Sequence, residues 1–240
     1  MSEPMFYCEY LPPTGEVAQL RGDEARHAGT SRRLKKGDEL WLFDGRGAIA
    51  RAQLQALHNR GSELDALIVE RAQQAAPAPP LHLVCALPKG DRASVLVDMA
   101  TQLGMTSLTP LLCERSVVDP GTGTLERLRR VALEACKQSR RAHLPTILAP
   151  TKIADVVMSS EAMWIAHPDG VPVAGLAQTV DQPLLLLIGP EGGFTDDEIA
   201  LACGRGAQRV SLGSGILRVE AAAVALLAAV LFGRVPAQAS

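Results

Sequence analysis

The rhythm of hydrophobic and polar positions changes once along the chain. Up to about residue 71, apolar residues alternate with polar ones in short runs, at Glu39–Phe43, Ala48–Leu54 and Leu64–Val69. Gly37-Asp38, Asp44-Gly45 and Asn59-Arg60-Gly61 punctuate these runs. Period-two alternation bounded by turn residues predicts strands, and hence a small β-rich domain such as a barrel. From residue 81 the runs lengthen. Strands are predicted at Leu81–Leu87, Ser107–Cys113, Met163–Ala166, Pro183–Ile188 and Arg209–Leu212, with helices at Arg92–Leu103, Leu125–Arg141, Asp196–Cys203 and Val219–Phe232. Strands alternating with helices imply an α/β domain on a mostly parallel sheet. Between the two regimes, Arg71–Pro80 is rich in Ala, Gln and Pro and reads as a linker. The expected division is a β-barrel domain over 1–71, a linker over 72–80 and an α/β domain over 81–240. No internal repeat is visible.

The run Leu184-Leu-Leu-Leu-Ile188 has no polar face, as a central strand covered on both sides requires. Gly189-Pro-Glu-Gly-Gly193 follows at once, and then Thr195-Asp-Asp-Glu198 has the spacing of a capping box. The order is therefore strand, glycine loop, helix, and open α/β sheets bind ligands in such loops at the carboxyl ends of their strands. The loop has neither the Lys-Ser/Thr of a P-loop nor the spacing of a dinucleotide fingerprint. Alone, it would better suit a plain tight turn with glycines for positive φ. A second loop, Ser211-Leu-Gly-Ser-Gly-Ile-Leu-Arg-Val-Glu220, repeats the arrangement and places Arg218 and Glu220 where the last helix begins. That helix is apolar around most of its circumference and must be buried, in the core or against a second subunit.

Composition narrows the class. The 240 residues are 47% hydrophobic but only 3% aromatic, so Leu, Val, Ala and Ile must build the core. With 24 Lys and Arg against 26 Asp and Glu, the formal net charge is −2, which excludes a protein that coats nucleic acid indiscriminately. The five cysteines, Cys8, Cys85, Cys113, Cys136 and Cys203, form no C-x-x-C pair. They fit reduced thiols of a cytoplasmic protein, with neither disulfide framework nor metal site. Met1–Tyr10 has no apolar segment of a signal peptide, and the run Ala221–Phe232 is too short to span a bilayer.

Two stretches concentrate positive charge. One holds Arg26, Arg32, Arg33, Lys35 and Lys36, near His27. The other is the helix Leu125–Arg141, where Arg127, Arg130, Lys137 and Arg141 share a stripe opposite Leu128, Val131, Ala132 and Ala135. Such a stripe is a solvated face or a phosphate-binding face, and Glu134 interrupts it. Lys89 and Arg92, after a strand end, are further cationic candidates.

Taken in order, Ile188-Gly-Pro-Glu-Gly-Gly-Phe194, Leu212-Gly213 and Ile216-Leu-Arg218 with Glu220 resemble the RsmE family of SPOUT-class methyltransferases. So do Leu87-Pro-Lys-Gly-Asp-Arg92, Thr101-Gln-Leu-Gly104, Glu114-Arg-Ser-Val117, Glu134-Ala135 with Gln138 and Arg141, Arg33-Leu-Lys-Lys-Gly-Asp38 and Phe43-Asp-Gly45. The resemblance covers nearly the whole chain. It implies a PUA-like amino-terminal barrel followed by an α/β SPOUT-type trefoil-knotted domain, active as a homodimer, that methylates N3 of a uridine in 16S ribosomal RNA of the small subunit. It implies S-adenosylmethionine as cofactor, held by Ala166, His167, Ile188, Gly189, Pro190, Gly192, Gly193, Leu212, Gly213, Ile216, Leu217 and Arg218. It also turns the basic residues of both stretches, with Lys89 and Arg92, into candidates for RNA binding. The chain departs from the family in one loop. A basic residue is usual at the position of Gly215, and threonines at those of Val219 and Ala221.

Such chemistry needs the sulfonium methyl in line with a uracil nitrogen that has lost its proton. Arg218 would stabilise the charge spread onto the uracil carbonyls, and Glu191, Glu220 or His167 would take the proton. Glu220 has a second reading as a helix-start carboxylate, and His167 as a structural loop residue or a backbone contact to the cofactor. Three rival functions stand beside this one: a non-catalytic RNA-binding or assembly protein that kept the fold, a dinucleotide-dependent enzyme, and a SPOUT methyltransferase for another RNA.

Overall fold

The computed structural model describes residues 3–177 and 180–233. It divides into two compact units, Met1–Ala76 with Leu133–Leu144, and Pro77–Ala132 with Pro145–Ser240.

The first unit contains β1 (Met5–Tyr7), β2 (Val17–Arg21), the short helix α1 (Gly22–Arg26), β3 (Glu39–Phe43), β4 (Ala48–His58) and β5 (Glu63–Gln73). The strands form one sheet in the order β1-β3-β4-β5-β2, antiparallel except for the β1–β3 pair, curled as a half-barrel. Alternation gives the curl its inside: Leu40, Leu42, Leu54, Leu64 and Ile68 are fully buried with Phe6 and Leu20. β4 and β5 run past the predicted ends, and β5 extends two residues into the expected linker. A one-residue slip in their pairing, between Arg51 and Ala52, lets the long hairpin bend.

The second unit is the expected parallel α/β domain. Its strands are β6 (Leu81–Cys85), β7 (Ser107–Leu112), β8 (Thr146–Ile147), β9 (Thr151–Lys152), β10 (Ala162–Pro172), β11 (Leu184–Ile188) and β12 (Gln208–Ser211). The order is β12-β10-β11-β6-β7-β8, with β9 also on β7, and every pairing is parallel. Its helices are α2 (Arg92–Leu103), the first part of α3 (Thr122–Ser139), α4 (Ile153–Val156), α5 (Val173–Leu176), α6 (Asp196–Gly204) and α7 (Val219–Gly233). β11 lies in the middle with all five residues buried, as its unbroken apolar run requires. From the β12 edge the chain returns to pack α7 against α2, β6 and β11, burying Val219, Ala223, Leu226, Leu227 and Val230.

The division between units falls inside α3, so its last turns group with the first unit. Cys136 and Ala142 pack with Met5, Phe43 and Ile49 of the first unit. Burial pushes the Cys136 thiol up to about 12, so it stays protonated. The helix also stops two residues early. Arg140 takes a left-handed conformation (φ 60°), and the Arg141 amide closes back on the Cys136 carbonyl at 3.1 Å, as in a Schellman-type end. Arg141 therefore leaves the predicted stripe.

Lys137 leaves it for a different reason. Its side chain is 7% exposed, and its Nζ donates to Glu134 at 2.6 Å and Glu24 at 2.9 Å. Glu24 is itself fixed by accepting from the Tyr7 amide at 2.9 Å. Lys137 is thus a buried structural cation, not a free phosphate ligand. Its substitution by Ala leaves the Glu24 carboxylate without its cation in a largely dry site, which costs about 3 kcal/mol. Urea unfolding should show that loss in the midpoint with an unchanged slope, and a midpoint shift worth less than about 1 kcal/mol would contradict the assignment.

Candidate active site

Parallel pairing brings the carboxyl ends of β10, β11 and β12 to one edge of the sheet, and the loops that follow them enclose a cavity of about 490 Å³. That size is typical of a small-molecule site. Three segments wall it: Ala166–Pro168, Ile188–Glu191 with Gly193 and Phe194, and Val210–Gly213 with Gly215–Val219, plus Ala222 from α7.

The first wall is a bulge. Ala166 and Val171 both pair with Val210, so the four residues between them leave the sheet. The return is possible only at Gly170, where an added Cβ would lie 2.4 Å from the Val210 backbone. His167, in the bulge, accepts from the Asp169 amide through Nδ1 at 3.2 Å. That bond assigns the proton of the neutral ring to Nε2 and leaves no free ring acceptor.

The second wall is the glycine loop after β11. Gly189 lies under the Phe194 ring, which an added Cβ would meet at 2.9 Å. Gly193 adopts φ 71°, in the region that favours glycine. The helix that follows begins with the predicted capping box: Thr195 Oγ1 accepts from the Glu198 amide at 3.3 Å, and Glu198 Oε2 accepts from the Thr195 amide at 2.8 Å. Glu198 does more than the sequence indicates. Its Oε1 accepts from the Glu114 amide at 2.9 Å, tying the loop after β7 to α6.

The third wall turns at Gly213 (φ 117°), braced by two 3.3 Å bonds between it and the Ser211 hydroxyl. Arg218 caps α7 by accepting from the Ala222 amide at 2.8 Å; its side chain is exposed beside the cavity. Glu220 lies in the first turn of α7. Its Oε2 is buried without a hydrogen bond, 3.8 Å from Arg92 Nη1. Arg92 also donates to Glu191 Oε1 at 3.0 Å. It thus links the first glycine loop to the start of α7 through their carboxylates.

Of the twelve residues expected around a cofactor, eleven line the cavity; Gly192 does not, and faces Arg115 instead. Of the candidate catalytic residues, Glu191 and Arg218 line it and Glu220 does not. Pro168, Phe194, Val210, Ser211, Gly215, Val219 and Ala222 complete the lining and were not among those twelve. Phe194 lies in the first quoted glycine motif, Ser211, Gly215 and Val219 lie in the second glycine loop, and Pro168 adjoins His167, whereas Val210 and Ala222 carried no signal.

The remaining cationic candidates lie elsewhere. In the first unit Lys35, Lys36, Arg32 and Arg33 are exposed, and Arg26 pairs with Asp23 at 2.6 Å. In the second, Lys89 and Arg130 are exposed, and Arg127 lies 3.5 Å from Asp91. Among the described residues no group of His, Cys, Asp and Glu is arranged to hold a metal, and no helix is long and apolar enough to cross a membrane.

The chain combines a parallel sheet carrying glycine loops at its strand ends with a unit built as a half-barrel, and the family models give the class of two-domain RNA methyltransferases. The family described as RNA methyltransferase domain matches residues 75–231, and that described as RNA methyltransferase PUA domain matches residues 20–64. The chain belongs to the ribosomal RNA small subunit methyltransferase E family, with a PUA-like domain and a SPOUT-type fold. It is 34% identical to the protein of that name from Mycobacterium bovis, over 94% of this chain and 90% of the relative. It is 37% identical to that of Synechocystis sp., over 82% and 66%. The solved ribosomal RNA small subunit methyltransferase E of Neisseria gonorrhoeae, bound to S-adenosyl methionine, superposes with a TM-score of 0.89 at 27% identity, covering 97% of this chain and 98% of that one. Lpg2936 of Legionella pneumophila, in complex with the bound cofactor SAM, gives 0.89 at 26%, covering 98% and 99%.

Because the β10 bulge returns against the β12 backbone, Gly170→Ala should force the two strands apart. Overpacking of this kind costs about 1–3 kcal/mol. Thermal melting should show a clear loss, and an unchanged melting temperature would mean that the bulge closes without this glycine.

Proposed function

We propose that this protein is a cytoplasmic, homodimeric enzyme that transfers a methyl group from S-adenosylmethionine to N3 of a specific uridine in 16S ribosomal RNA of the small subunit. The single observation that carries the reading is the cavity between the two glycine loops, lined by all but one of the residues expected to meet that cofactor. Family membership and the cofactor-bound relatives support it.

The residues present fit the cofactor. The lining is largely apolar, and exposed backbone at Gly189, Gly193 and Gly213 lets the chain come close to a flat ligand. When bound, S-adenosylmethionine supplies an electrophilic methyl group. The chain must remove a proton and hold charge. Glu191, on the cavity wall, takes the imide proton, while Arg92 fixes its carboxylate. Arg218, on the third wall at the start of α7, stabilises the negative charge that develops on the uracil carbonyls. Glu220 holds Arg92 from the other loop. The exposed arginines and lysines at 32–36, with Arg26, Lys89, Arg127, Arg130 and Arg141, supply the phosphate contacts.

Mass mapping of 16S ribosomal RNA from cells with and without the gene tests the reaction directly: one methyl on one uridine should disappear, and an unchanged map would refute it. Single-turnover methylation of small subunits resolves the role of Arg218. Arg218→Ala should bind cofactor nearly as wild type and lose on the order of a hundredfold in rate. A folded variant with near wild-type turnover would assign catalysis elsewhere.

The homodimer rests on α7. With its core face buried, it still presents Ala221 and Phe232, the latter 79% exposed, and α2 beside it leaves Val95 and Met99 about half exposed. Covering such a surface contributes about 25 cal/mol per Å². Sedimentation should show a dimer at micromolar concentration, and a stable monomer there would contradict the assembly.

A further inference from the structure

Glu114–Val117 touches none of the cavity, yet the loop it forms is built with care. A turn after β7 is closed from both sides: the Ser116 amide donates to the Cys113 carbonyl at 3.0 Å, and the Cys113 amide donates to the Ser116 hydroxyl at 2.9 Å. The Glu114 amide anchors the turn on the buried carboxylate of Glu198. Arg115 extends from this anchored turn to the first glycine loop, where its Nη1 donates to the Gly192 carbonyl at 2.9 Å.

The next peptide atom is also held. The Gly193 amide donates to the Pro190 carbonyl at 2.8 Å. The peptide unit between Gly192 and Gly193 is therefore pinned at both ends, by Arg115 at its oxygen and by the turn at its nitrogen. Gly193 lines the cavity; Gly192 does not. The backbone at Gly192 lies outside the left-handed region, so its conformation does not require glycine. What a side chain there would crowd is Arg115. A Cβ would meet its Cδ at 3.3 Å and its Cβ at 3.4 Å, and all three of the nearest atoms belong to that arginine.

We infer that Arg115 is a positioning residue for the cofactor site: it holds the first glycine loop in its binding shape, and Gly192 is glycine to admit the arginine rather than the cofactor. The inference rests on the cofactor reading above. A neutral carbonyl held by a charged donor is a stronger restraint than an ordinary amide bond. A loop that must be ordered on binding binds more weakly than one already ordered.

The test is calorimetric titration of the full chain with S-adenosylmethionine, for wild type, Arg115→Ala, Gly192→Ala and the double variant, each checked by its melting curve. Arg115→Ala should bind about tenfold more weakly, the loss expected for one charge-assisted hydrogen bond. Gly192→Ala should lose a smaller factor by crowding the arginine, and the double variant should be no worse than Arg115→Ala alone, because only Arg115 opposes the new methyl. Arg115→Lys should recover part of the affinity. With small subunits as substrate, KM for the cofactor should rise while kcat stays within about twofold, a split that general destabilisation does not produce.

A folded Arg115→Ala chain with wild-type cofactor affinity would overturn the inference. So would a Gly192→Ala cost that is the same with and without Arg115. If Arg115→Ala instead weakens RNA binding in a salt-dependent way and leaves cofactor affinity unchanged, the arginine is a phosphate contact and the inference fails. Absence of binding by the wild-type chain is a different result, which overturns the cofactor reading itself.

Discussion

Parallel pairing of β10, β11 and β12 imposes the geometry on which the rest depends. Strands that run the same way must end at the same edge, and each must be followed by a loop that leaves from there. Three loops distant in sequence are thereby obliged to meet. The site is the space they fail to fill. Its shape is then set by how closely two backbones can approach, and Gly170 against Val210 is the tightest such point. An antiparallel arrangement would have sent alternate loops to opposite edges, and the same glycines would have been ordinary turns.

Charge around the cavity is spent mainly on holding those loops. Arg92 spans from Glu191 to Glu220, Arg115 holds the Gly192 carbonyl, and Glu198 serves both its own helix start and the Glu114 amide. Apart from the capping bond at Thr195, these contacts link segments 77–128 residues apart, so the cavity is preorganised by groups that the local sequence does not place together. A similar economy holds in the first unit, where Lys137 is consumed by Glu24 and Glu134. With a net charge of −2 and several cations committed internally, the free positive charge falls to a limited set of exposed arginines and lysines.

The sequence by itself determined the elements with a strong period and local punctuation. The α2 boundaries agree to the residue, because Gly104 takes the left-handed end position that stops the helix. The buried β11, the capping box at Thr195 and the two glycine loops were legible for the same kind of reason: each depends on neighbours within a few residues. The ordered motifs then carried the family, and eleven of the twelve residues that the resemblance pointed to line the cavity. The short strands β1 and β2 were not legible, since three and five residues give too little alternation to detect. Tertiary structure alone decided three further matters. It moved the end of α3 into the first unit, it turned Lys137 and Arg92 from candidate RNA ligands into partners of carboxylates, and it set Gly192 against Arg115. A charge pattern fixes which residues carry charge, but whether a cation meets water, phosphate or a buried carboxylate depends on contacts made across the fold, and those appear only when the chain has closed on itself.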